Sequence, residues 1–245
     1  MLILLVCIVP MAQAEDAPGK AKASFNADED YLASRNFTGF VDSHPDLRYY
    51  RLGLAAYRDA KLDKALHYFR MSARYSDKPA QAMVAEMLWR GEGVEQDRAL
   101  AYAWMDLAAE RGMRRLLVLR ERYWEQLDEA ERARALEHGE RVYAEYGDEV
   151  AVSRLERALR REAKRAVGSR TGYVGNGMIL APPPGTYNIE PEVMSSTAFY
   201  AATYWDPKQY FAWREQLWER ELRQGRVGHA EVGPLQQAGS GDKAD

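Results

Sequence analysis

The stretch "WRGEGVEQDRALAYAWMDLAAERG", residues 89 to 112, constrains the fold of this chain more than any other. Gly91 supplies the left-handed conformation that ends a helix without a Cβ penalty. Gly93 lets the chain reverse tightly, and Val94 tucks its side chain under the turn. Asp97 is placed to cap the free amides of the next helix. On that helix Ala101, Trp104, Ala108 and Ala109 fall at i, i+3, i+7 and i+8, a single stripe. The small residues let a paired helix approach closely, the tryptophan fills the remaining volume, and Gly112 ends the helix. Such a segment is a helical hairpin made to stack.

The preceding residues repeat the plan. From Asp46, Tyr49, Leu52, Gly53 and Ala56 share one helical face; Lys61-Leu62-Asp63 connects to a second helix carrying Ala65, Phe69 and Ser72. Residues 80 to 90 form the next helix, with Ala80, Val84, Ala85 and Leu88 on its packing face. Residues 46–79 resemble a tetratricopeptide repeat. Residues 80–112 resemble a Sel-one-like repeat: Gly91, Gly93, Val94, Asp97, Ala101, Trp104, Ala108, Ala109 and Gly112 all sit where that family's motif wants them. The departures are Val84-Ala85 where Leu-Gly is usual, and Leu88 where Tyr is usual.

The resemblance implies a mostly α protein, a short α/α solenoid with a concave, protein-binding surface lined by the first helix of each unit. Off the packing stripe, Arg51, Leu54, Arg58, Met83, Glu86 and Arg90 are the expected binding positions. Two hairpins are few for a continuous core, so residues 113–167 are expected to add a degenerate unit and a cap. Met113–Gln126 carries Leu116, Leu117, Leu119, Tyr123 and Trp124. Asp128 caps a helix to about Tyr146 with Ala133, Leu136, Val142 and Tyr143 inward and Gly147 as its stop. Glu149–Val167 follows with Val152, Leu155, Ala158 and Leu159 on one side. Its other side carries seven basic residues between 154 and 170 against Glu156 and Glu162, first of all a solvated face.

At Gly168 the chain becomes Gly- and Pro-rich, and the C-terminal segment extends to 235. A strand is expected within Tyr173–Leu180, a turn at Pro182–Gly185, and a partner strand at Val227–Leu235, together a small β-hairpin. Asp206-Pro207 starts an aromatic helix whose Tyr210, Trp213 and Trp218 lie on several faces, as in a helix packed on more than one side. A sugar-stacking platform is the alternative use of such aromatics. Residues 236–245 read as a disordered tail.

The amino terminus is different material. MLILLVCIVPMAQA is too short to span a bilayer and ends in a small-x-small pattern, so a signal peptide cleaved after Ala14 is expected, with a periplasmic or secreted destination. Residues 15–45 are an acidic lead-in. Cleavage would remove Cys7, the only cysteine, leaving a chain without disulfides.

Apolar residues at 47% suffice for a core, and a net charge of −3 gives no global case for nucleic acid. His44, His67, His138 and His229 lack metal-ligand spacing, no Gly-x-Ser-x-Gly elbow exists, and the glycines at 172, 175 and 177 lack a phosphate loop's Lys-Ser/Thr. The expectation is an exported scaffold without catalysis or cofactor that binds an unidentified protein in the bacterial envelope. Contact with the cell wall through the aromatic third, as a glycan-binding protein or enzyme, is the alternative.

Overall fold

Pro45 opens a helix at no hydrogen-bonding cost, since the first turn's amides have no helical partner. Asp77, Asp97 and Asp128 each open another by accepting a backbone N–H from three residues on. The computed structural model describes residues 38–167, 178–181, 192–195 and 199–223. Its helices are α1 (Thr38–Ser43), α2 (Pro45–Arg58), α3 (Leu62–Ala73), α4 (Lys78–Arg90), α5 (Arg98–Ala108), α6 (Arg114–Gln126), α7 (Glu129–Tyr146) and α8 (Asp148–Val167). After them come β1 (Met178–Ala181), β2 (Glu192–Ser195), α9 (Ala202–Trp205) and α10 (Pro207–Arg223). The expected signal peptide, acidic lead-in, Pro182–Gly185 turn, Val227–Leu235 strand and tail lie outside the described residues.

The hairpins α2–α3 and α4–α5 pack side by side through α3 and α4, and α5 lies against both α6 and α7. One core joins these units: Ala65, Phe69, Val84, Leu88, Trp104 and Leu116 are buried together. Gly53 is part of the fit, because a Cβ there would meet the Phe69 ring at 2.6 Å. α8 turns back toward α2, α9 and α10. There Leu155 and Leu159 join Phe40 and Val41 of α1 with Phe199, Tyr204, Trp205, Tyr210, Trp213 and Leu217 in a second core. Trp218, one residue on, belongs to the first core, so α10 spans both.

Three expectations need correction. Met83 and Glu86 lie on no open face, because α4 is the central helix and every residue from Lys78 to Leu88 is buried. In α7 the inward residues are Ala135 and Val142, with Tyr143 partly buried, whereas Ala133 and Leu136 face solvent, Leu136 being 64% exposed. The phase of α7 is set by packing on α5, where Tyr143 donates to Asp106 and Tyr146 packs on Trp104. In α8 Val152 is half-buried and Ala151 takes the core position. β1 pairs antiparallel with β2, Met178 opposite Ser195 and Ala181 opposite Glu192. No described helix is long and apolar enough to cross a membrane.

Candidate interaction surface

The turn between α4 and α5 is built as its sequence dictates. Gly91 and Gly93 both hold φ of 71°. The amide of Glu92 donates to the Met87 carbonyl, and Asp97 accepts from the amide of Leu100 at 3.1 Å. Gly93 has a second reason to be glycine, since a Cβ would lie 2.5 Å from the Leu62 carbonyl carbon. The turn is thereby seated on the first residue of α3, one unit back. Val94 is half-buried against the core, and Ala101, Trp104, Ala108 and Ala109 are buried in the expected stripe. Gly112 is left-handed at φ 74°.

Around this turn the side chains of two units meet. Tyr57 of α2 donates to Glu92 at 2.7 Å. Arg90 lies 3.6 Å from Glu92 and 3.8 Å from Glu86. Burial raises the Tyr57 hydroxyl above its ordinary pKa, with the Glu92 carboxylate adding to it. Tyr123 of α6 is raised further by burial, with Glu86 adding to it, and its ring stacks on Trp89 at 4.0 Å. Of the six expected binding residues, Arg58 is exposed, Arg51 is half-exposed with a 3.9 Å approach to Asp42, and Leu54 packs partly against the core. Arg90 reaches the surface within an internal ion-pair group, and Met83 and Glu86 are enclosed. Beside the turn opens a cleft of about 410 Å³, lined by Arg70, Val94, Asp97, Arg98, Glu131 and Arg134 among others.

Glu92, placed between two glycines, reads from sequence alone as a free solvent residue; the bond from Tyr57 corrects that. Glu92→Ala is expected to cost about 1 kcal/mol, the usual value of one such hydrogen bond. Gly93→Val is expected to cost more, about 1–3 kcal/mol, because steric overlap with Leu62 adds to the backbone penalty. Chemical denaturation of the two variants checks the order, and equal midpoints would mean that the turn is not seated on α3.

A second constellation, absent from the sequence reading, ties α10 to the helix ends of the repeats. Arg214 is 3% exposed between two buried carboxylates, donating to Asp77 and lying 3.2 Å from Asp46. Tyr210, one turn earlier, donates to the same Asp46 oxygen, Oδ2, at 2.7 Å. His44 is fully buried, its Nδ1 2.7 Å from the Phe40 carbonyl oxygen and its Nε2 2.9 Å from that of Tyr204. Burial raises the Asp77 carboxyl to about 6, against the pull of Arg214. Burial also lowers His44, opposed by Asp46 and by the two carbonyls. Tyr210 is raised well above its usual value by burial and by Asp46.

Beside it lies a second charged group. Lys78 meets Glu110 at 2.7 Å and Asp148 at 3.0 Å, and Arg111 meets Asp148 at 2.5 Å and Glu215 of α10 at 2.9 Å. Burial alone would raise Asp148, but Lys78, Arg111 and Ser76 outweigh it and hold it below the ordinary carboxylate value. One signal for the Arg214 centre was present: an arginine between Trp213 and Leu217 on an aromatic helix demands a buried carboxylate. Among the described residues no group of three or more His, Cys, Asp and Glu is placed to hold a metal ion. The aromatics of α9 and α10 serve packing, Trp205, Tyr210, Trp213 and Trp218 each being buried.

The family model of the Sel1 repeat matches residues 48–74 and 78–113, the two hairpins that carry this turn and its neighbours. Among solved structures, a protective antigen of uropathogenic Escherichia coli displaying an SLR fold is similar at 22% identity and a TM-score of 0.40. The match covers 46% of this chain and 25% of that one, so it spans a quarter of the antigen's length. No curated protein matches the chain.

Proposed function

We propose that the chain, a carrier of two Sel1 repeats, is an exported scaffold without catalysis that binds another protein of the bacterial envelope along α2 and the turn after α4. Sel1 repeats mediate protein–protein interaction, which gives the class of function. The observation that carries the assignment of the surface is its division of labour. Glu86, Arg90, Glu92 and Tyr57 are spent on each other and rigidify the two units, while Arg58 and Arg51 project at their edge. A pre-ordered surface with guanidinium groups at its rim suits an acidic partner, since less entropy is lost on binding and charge steers the encounter. The apolar amino-terminal run ending at Ala14 supports export.

The test is affinity capture from an envelope extract with the wild type and with Arg51→Glu/Arg58→Glu. Both side chains lie outside the core, so the melting temperature is expected to stay within the small range of surface substitutions. Partners captured through this edge are expected to drop by roughly tenfold, the order of a 1.4 kcal/mol loss. Identical capture by the two proteins would remove the edge of α2 from the binding surface.

A further inference from the structure

The cleft beside the turn after α4 takes its walls from three parts of the fold. α3 contributes Arg70, the turn and the first residue of α5 contribute residues 94–98, and α7 contributes Glu131 and Arg134. Leu88 of α4 and Leu100 of α5 add apolar lining. A volume of about 410 Å³ falls in the range of pockets that hold a drug-sized group. Glu95, Gln96 and Arg134 are exposed, so the cleft is open to solvent and a chain can enter it from the side. The turn wall is held by its own bonds. Gln96 donates from its side chain to the Trp89 carbonyl at 2.6 Å, and the Asp97 amide donates to that of Leu88 at 3.2 Å. Little of this wall has to be ordered when a ligand arrives.

Most charges in the lining are already engaged. Asp97 accepts from the Leu100 amide and faces His138 at 3.8 Å. Glu131 accepts from the Asp128 amide at 3.0 Å. Arg98 donates to the Gln126 carbonyl and stands 3.8 Å from Glu131. Arg70 and Arg134 differ. They reach one cleft from two separate helices, and neither meets a carboxylate of any described residue. A guanidinium offers planar paired N–H donors that match a carboxylate. Glu95 at the rim disfavours a multiply charged anion such as a phosphate, whereas it can accept a peptide N–H.

We propose that this cleft binds an acidic peptide segment of a partner protein. Arg70 and Arg134 hold its carboxylate, and Leu88, Val94 and Leu100 receive an apolar side chain beside it. The cleft shares the turn with the surface proposed above but takes its other walls from α3 and α7 instead of α2, which makes it a second site. The carboxylate comes from an Asp or Glu side chain or from a chain end, and the test separates these sources.

Calorimetric titration of the full chain uses three synthetic peptides. Acetyl-Ala-Leu-Glu-Ala-Leu amide has only a side-chain carboxylate, and acetyl-Ala-Leu-Ala-Leu only a terminal one; the Gln counterpart of the first has none. Binding by one or both of the acidic peptides and none by the Gln peptide is expected, and whichever binds identifies the source. Arg70→Gln and Arg134→Gln are each expected to weaken binding by about tenfold, the order of one charge-assisted hydrogen bond. Neither side chain is buried, so both variants are expected to melt with the wild type. Arg51→Glu/Arg58→Glu is expected to bind the peptide unchanged, which tells failure of this site from failure of the α2 edge. Amide hydrogen exchange of the wild type locates the site without any variant: bound peptide is expected to raise protection in residues 94–98 and not in α2. The proposal is overturned if neither acidic peptide binds, if the Gln peptide binds equally well, if the two arginine variants bind as the wild type does, or if protection rises in α2 instead.

Discussion

Arg214→Ala is expected to destabilise the protein by about 3–5 kcal/mol, the usual cost of removing one partner from a buried ion pair. The loss arises less from the missing attraction than from what is left behind. Asp46 and Asp77 are 1% and 0% exposed, and without the guanidinium both would remain out of water beside each other. Tyr210 would still donate to Asp46 and the Ala80 amide to Asp77, but neither group carries a compensating charge. Urea unfolding near neutral pH measures the effect, and proteolysis is expected to cut first within α9 and α10. A variant that unfolds at the wild-type midpoint would show that Arg214 is not enclosed. Arg214→Met, which keeps the stem over Trp218, is expected to be nearly as damaging, which separates charge from packing.

Trp104→Ala is expected to cost about 3–5 kcal/mol for a different reason, the cavity left in a packed core. The ring is 3% exposed and lies 4.5 Å, centroid to centroid, from that of Tyr146, so the void would open between α5 and α7. With total stabilities of about 5–15 kcal/mol typical of folded domains, this removes a large share. Calorimetric melting checks it, and coincident transitions of wild type and variant would place Trp104 at the surface. The two substitutions remove different kinds of contact. Arg214→Ala is expected to spare protection in α5, whereas Trp104→Ala is expected to lower it.

What the sequence revealed and what it hid divide along the range of the interactions. The turn from Gly91 to Asp97 was legible because its causes are local: left-handed glycines, a capping carboxylate and a stripe of small residues lie within a few positions of one another. The starts of α2, α7 and α10 were legible for the same reason. The phase of α7 was not, because Leu136 is apolar and reads as inward, while the contacts with Asp106 and Trp104 rotate the helix to bury Ala135 and Val142. Glu86 was misplaced by a similar failure. A polar residue off the packing stripe reads as exposed unless the neighbours that enclose it are known. The centre at Arg214 was least accessible of all. Its partners stand 137 and 168 positions away, and no short-range pattern announces that Asp77, already explained as a helix cap, has a second task.

That separation has a consequence for the order in which the chain becomes a protein. A carboxylate at position 46 and another at 77 emerge from the ribosome long before the guanidinium at 214 that neutralises them. Until then the amino-terminal ends of α2 and α4 cannot be sealed from water without stranding two charges. The repeats assemble early from local contacts, yet α10, made well after them, is the one that completes their closure. A nascent chain of this design stays open at one end until residue 214 has been made, and a chain cut short before it would keep that end open for good.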